Sequence, residues 1–225
     1  MENNNLENKK QNRKTLKNIV YIFLYFILLD EILIRVLPNF IDISNIILIN
    51  TVYNESKLFI MSIFGIVFYW QELKIGMKNF ANKWWKKIIQ FIVVYILFIA
   101  LSVLIGLLIE IPTSSNQYSL EEMINSYPIM IFGTIILAPF VEEIIFRHIL
   151  IGELSKTIPK FLAIIISCIL FALIHSELTL SFIVYFLMGM AFTIIYILNK
   201  DNFIASFFYH AIHNSIALLA VLGIL

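Results

Sequence analysis

The sequence predicts an all-α, polytopic membrane protein, a transmembrane helix bundle of about seven membrane helices with a cytoplasmic N-terminus. Three observations predict it. Apolar residues make up 60% of the 225 and charged residues 14%, too little polar surface to cover the core of a soluble domain of this length. Runs at 88–109, 178–198 and 203–225 carry no Asp, Glu, Lys or Arg, and each has the roughly 20 residues that about 30 Å of hydrocarbon requires. The runs are continuous rather than alternating, and lipid offers a backbone no hydrogen-bond partners, so the segments are helices.

The elements follow in order. Residues 1–18 are polar and carry Lys9, Lys10, Arg13, Lys14 and Lys17. A first helix at about 18–37 stops near Pro38; with Asp30 and Glu31 inside it and no small-residue cleavage site after it, it reads as a retained helix. The stretch 40–53 is moderately apolar, and a second helix lies at about 56–73. Lys74, Lys78, Lys83, Lys86 and Lys87 follow beside Trp84 and Trp85, a basic loop with interfacial aromatics. A third helix spans about 88–110. Ser119-Leu-Glu-Glu in the polar stretch 111–127 reads as a surface helix start. Helices four to seven fall at about 128–153, 160–177, 178–198 and 202–225. With seven crossings and the N-terminus inside, all Lys and Arg except Arg35 and Lys57 fall on the cytoplasmic side. A further crossing at 40–53 would put the two most basic loops on opposite faces, so that stretch reads as interfacial or re-entrant. No repeat or soluble domain is visible, and 1–225 reads as a single membrane domain.

The net charge of +1 shows no basic stripe for a nucleic-acid partner, and the lone Cys168 makes no intrachain disulfide. Charge at membrane depth costs on the order of +2.5–3.5 kcal/mol per residue on insertion scales, so buried ionisable groups mark candidate sites. In Val141-Glu142-Glu143-Ile-Ile-Phe-Arg147, Glu143 and Arg147 stand at i,i+4 and can pair, leaving Glu142 about 100° away without a local partner. An apolar setting and an adjacent carboxylate suit Glu142 to general acid–base work. Pro139 upstream lacks an N–H and frees a carbonyl near position 135. His210 and Asn214 share a face of helix seven, about 40° apart, where they can bind a metal, hold a water and an oxyanion, or bond another helix. His213 reads as packing. His175, at the far end of helix five, is by itself more often a satisfied core residue than a ligand. Asp30, Glu31 and Arg35 read as mainly structural. Counted from the assigned helix ends, His210, Glu142 and His175 lie about 12, 17 and 22 Å deep, close enough to meet near mid-membrane. Small residues at Gly189 and Ala191 allow a close helix neighbour.

Glu142-Glu143-x-x-x-Arg147, Phe171-x-x-x-His175 and His210-x-x-x-Asn214, in that order, resemble the three motifs of the CPBP family, the CAAX prenyl proteases with the related bacteriocin-processing and immunity-type proteins. The likeness covers about 140–215, within a core at about 128–225. It implies an intramembrane endopeptidase in which Glu142 activates a water, His175, His210 and Asn214 hold that water, a metal ion or the oxyanion, and Glu143 and Arg147 support them. Zn²⁺ or another divalent metal on His175, His210 and Glu142 and a metal-free glutamate mechanism both remain open. The implied partners are the bilayer and a peptide at or in the membrane. The Asn-, Ile- and Lys-rich composition points to a low-GC bacterium, where maturation of a small secreted peptide or immunity to a bacteriocin is expected. A non-catalytic immunity or scaffold protein of the same fold is the alternative. A proton-coupled transporter ranks lower, because no repeated halves are visible.

Overall fold

The apolar runs fold as helices, and among the described residues every regular element is helical. The computed structural model describes residues 2–41 and 44–224. The chain divides into two units, Met1–Trp70 and Gln71–Leu225.

In the first unit, α1 runs through Glu2–Phe23, a π-helical turn at Leu24–Leu28 and Leu29–Val36. It stops in a 3₁₀ turn, Leu37–Asn39, that contains Pro38. The second helix, α2, spans Ile46–Ala81 and therefore begins well before the expected position 56. Asn45 explains the early start, since its Oδ1 accepts the Leu48 N–H at 2.9 Å and caps the helix. The part of 40–53 from Ile46 onward is thus the opening of α2. At about 1.5 Å per residue α2 rises about 54 Å, more than about 30 Å of hydrocarbon accommodates. It breaks at Tyr69, where φ is −114° and ψ is 22°. Buried polar bonds join α1 to α2 within the unit: the Tyr21 hydroxyl donates to the Met61 carbonyl at 3.1 Å, and the Tyr69 hydroxyl to Asn18 at 2.9 Å. Asp30 gains partners the sequence did not show, the Tyr53 hydroxyl at 2.5 Å and the Lys57 ammonium at 2.7 Å. Glu31 pairs with Arg35 at 2.9 Å as its spacing predicts.

The second unit continues from the end of α2 into α3 (Trp84–Leu108) and α4 (Ser115–Ser126). Next comes α5, which passes through Met130–Phe132, Gly133–Leu137, Ala138–Glu143 and Ile144–Glu153. Then come α6 (Lys160–His175), α7 (Ser181–Leu198) and α8 (Phe203–Val221). Ser114 starts α4 by accepting the Gln117 N–H at 3.2 Å, so the helix begins before the expected Ser119. Ser114-Ser-Asn-Gln117 has the same Ser-x-x-Glu/Gln capping pattern and comes first. Among the described residues α2, α3, α7 and α8 are long and apolar enough to cross a membrane, and α6 is apolar but shorter. In α5 two π-helical stretches interrupt the regular helix. Gly189 lets α7 close on α6. A Cβ there would lie 3.3 Å from Phe171 Cδ1 and 3.5 Å from Cys168 Cα.

Candidate active site

The site is assembled on α5, whose register is set by a proline. In the π turn Gly133–Leu137 the Ala138 N–H donates five residues back, to the Gly133 carbonyl. The next bond in that register would run from residue 139 to the Thr134 carbonyl, but Pro139 has no N–H. The Asn214 side-chain amide supplies the donor instead, reaching Thr134 O at 2.9 Å. The freed carbonyl is therefore that of Thr134, one residue before the expected 135, because the turn is π rather than α. This bond pins α8 to α5 beside the two glutamates, and a half-buried carbonyl without it would carry part of an unmet desolvation cost.

Glu143 is fully buried and already engaged. Its Oε1 lies 3.2 Å from Arg147 Nη1 and accepts the Nδ1–H of His210 at 3.0 Å. Arg147, also fully buried, donates its other terminal nitrogen to the Gly189 carbonyl at 2.9 Å. Its guanidinium lies over Phe171 and Phe192, with centroids 5.0 and 5.3 Å away. The i,i+4 pairing expected from the spacing is present, and it neutralises one of the two adjacent carboxylates.

Glu142 faces elsewhere. Its Oε1 lies 3.7 Å from His175 Nε2 and its Oε2 3.8 Å from His210 Nε2. Both separations exceed direct hydrogen-bond length, and Oε2 has no hydrogen-bond partner among the described residues. The imidazole tautomers follow from their other contacts. His175 Nδ1 donates to the Phe171 carbonyl at 2.8 Å, and His210 Nδ1 donates to the Glu143 carboxylate. A carbonyl or carboxylate only accepts, so Nδ1 carries a proton in each ring and Nε2 points to Glu142. Aromatic faces fix the rings. Phe192 stacks on His210 at 3.9 Å and 27°, and His175 lies between Phe171 at 4.3 Å and Tyr185 at 5.4 Å. The His175 side chain is 18% exposed against 8% for Glu142 and 3% for His210, so the site is reached past His175.

Glu142, His175 and His210 are thus brought together, with Glu143 and Arg147 immediately behind. Asn214 enters through the Thr134 carbonyl. His213 points away, into a cage of Tyr95, Phe98 and Phe192 at 5.2–5.7 Å. The two Nε2 atoms face the two oxygens of one carboxylate at 3.7 and 3.8 Å, so His175, His210 and Glu142 are the side chains that would hold a metal ion, although no ready-made cluster of three such ligands stands among the described residues. Sequence reading missed Phe192, Tyr185 and the Gly189 carbonyl. Aromatic residues in an apolar helix carry no signal of stacking on a particular imidazole, whereas Gly189 was readable as a close-approach position.

Residues 124–216 match the family described as "Type II CAAX prenyl endopeptidase Rce1-like". Over 94 residues the chain is 33% identical to "Putative membrane peptidase YdiL" of Bacillus subtilis, covering 42% of this chain and 38% of that protein. Over another alignment of 94 residues it is 34% identical to "Membrane-embedded CAAX protease MroQ" of Staphylococcus aureus, covering 39% and 37%. Over 151 residues it is 32% identical to "UPF0177 protein YvdC" of Lactococcus lactis, covering 66% and 56%. The chain thus spans between 37% and 56% of the length of these relatives. No solved structure gives a significant match.

Proposed function

We propose, from the match of residues 124–216 to the Rce1-like type II CAAX prenyl endopeptidase family, that this multi-pass bacterial membrane protein is an intramembrane endopeptidase whose water is activated by Glu142. The observation that carries the reading is a buried carboxylate left without a cation of its own. Arg147 is committed to Glu143, while Glu142 holds two oxygens toward two imidazole nitrogens at 3.7 and 3.8 Å.

The chemistry is a balanced hydrolysis. Glu142 takes one proton from a water, and the water oxygen bonds to the carbonyl carbon of the peptide while the carbonyl π pair moves to oxygen. As the tetrahedral intermediate collapses, the C–N bond breaks and the proton held by Glu142 passes to the departing amine. A positioned general base contributes about 10²–10⁴-fold. His175 and His210 present unprotonated Nε2 atoms that accept from the water, and the second amide hydrogen of Asn214 donates to the oxyanion, an interaction of about 10²–10³-fold for such a donor. Glu143 fixes His210 through Nδ1, and Arg147 pairs with the same Glu143 oxygen from behind. No step is routed through a metal; His175, His210 and Glu142 are the side chains that would hold one, which would then polarise the water that Glu142 deprotonates.

The substrate class is a small membrane-associated or secreted peptide, with bacteriocin maturation or immunity as the setting that the low-GC composition favours. The test uses the full chain in lipid vesicles with a pool of apolar peptides, read by mass spectrometry. Wild type yields paired fragments, and Glu142→Ala and His210→Ala at equal membrane levels yield none. Processing that survives both substitutions would remove the enzyme reading.

A further inference from the structure

The exposed edge of the site opens beside a cavity of about 210 Å³ between residues 111–117 and α7. Ile111, Pro112, Val184 and Met188 give it apolar walls, and Ser114 and Gln117 give it a polar edge. Tyr185 belongs to both places. Its ring stacks on His175 at 5.4 Å and 23°, and its hydroxyl lies 3.2 Å from Ser114 Oγ. One tyrosine therefore separates the cavity from the imidazole that faces Glu142.

Volume limits the occupant. A cavity of about 150 Å³ holds a benzene, and pockets for drug-sized ligands start at about 300 Å³. About 210 Å³ therefore suits one large apolar side chain and not a folded segment. The wall is also fixed in place. Ser114 caps α4, Gln117 Nε2 donates to Glu121 at 2.8 Å, and the Ser115 hydroxyl donates to the Glu177 carboxylate just after α6. That bond holds the Glu177 carboxyl below the usual carboxylate range. Residues 111–117 lie outside the matched 124–216, so this wall is supplied by the part of the chain that the family likeness does not cover.

We infer that this cavity is a specificity subsite, which seats one bulky apolar side chain of the peptide beside the scissile bond and uses Tyr185 to set that residue against His175. The inference rests on the peptidase reading above. Apolar walls bury the side chain, and the polar edge at Ser114 and Gln117 serves the peptide groups that flank it. Specificity for side-chain size then resides in Val184, Met188 and the 111–117 segment, apart from the groups that perform hydrolysis.

The experiment is position-resolved cleavage by the full chain in vesicles of phosphatidylethanolamine and phosphatidylglycerol, using a pool of apolar peptides randomised around one bond. Wild type is expected to prefer Leu, Met or Phe at one flanking position. Val184→Trp fills the cavity and is expected to move that preference to Gly or Ala by about 10-fold or more, mainly through KM. Val184→Ala enlarges it and is expected to shift preference toward Trp and Tyr. Opposite shifts cannot come from a general folding defect, and each variant is checked for normal membrane expression. Glu142-dependent cleavage with one unchanged preference in all three proteins overturns the subsite and leaves the peptidase reading intact. Absence of any Glu142-dependent cleavage by wild type overturns both.

Discussion

Removing Arg147 and Glu143 singly and together tests whether the two act as one buried unit. Arg147→Met leaves the Glu143 carboxylate with His210 as its one close partner among the described residues, and breaking a buried pair from one side costs about 3–5 kcal/mol. The Gly189 carbonyl adds little to that figure, because it also accepts the Thr193 hydroxyl at 2.9 Å. Glu143→Leu strands the guanidinium, which keeps the Gly189 carbonyl but loses its counter-charge, at a similar cost. In the double variant both charges are gone. What remains is one orphaned donor, His210 Nδ1–H, worth about 1–3 kcal/mol. The double variant is therefore expected to be more stable than either single variant. The assay is reversible unfolding of the purified chain in mixed detergent micelles, followed by circular dichroism. Peptide cleavage is expected to stay absent in the double variant, since His210 has lost the acceptor that orients it. A double variant whose destabilisation equals the sum of the two single costs would refute the coupled-pair reasoning.

Three other outcomes follow from the geometry. Asn214→Ala is expected to destabilise the fold by about 1–3 kcal/mol by orphaning the Thr134 carbonyl, and adding Pro139→Ala is expected to recover part of that loss by restoring an N–H; the same unfolding assay reads both. His213→Phe is expected to be neutral or stabilising, with cleavage unchanged, because His213 sits among three aromatic rings and its Nδ1 has no hydrogen-bond partner among the described residues. Cleavage by the chain is expected to persist after dialysis against a strong zinc chelator, measured alongside elemental metal content; loss restored by added Zn²⁺ would install the metal-assisted mechanism instead.

Local spacing made half of this site readable. Glu143 and Arg147 stand one helical turn apart, and two carboxylates facing one guanidinium left Glu142 as the unmatched charge, which is the arrangement found. The i,i+4 spacing of His210 and Asn214 also placed both on one face, but it could not say what each would meet. His210 meets Glu143 and Glu142, whereas Asn214 is drawn to Thr134 by a proline effect visible only once the turn is π. A π turn shifts the freed carbonyl by one residue and has no compositional signature in Gly133-Thr-Ile-Ile-Leu137. His175 was the least legible residue, because its selection depends on Tyr185 and Glu142 arriving from two other helices. The same limit applies to Asp30, whose partners Tyr53 and Lys57 lie far along the chain. Helix identity was legible throughout the described apolar runs, and boundaries failed where a nearer cap competed, as at Asn45 and Ser114.

The central claim is that Glu142 is the base that activates water, and Glu142→Gln tests it with almost no change of shape. The measurement is kcat and KM for a cleaved peptide with the full chain in vesicles, wild type against variant at matched membrane levels. A fall in kcat of about 10²-fold or more, with KM little changed, is the predicted result. A variant whose kcat stays close to that of wild type would contradict the account.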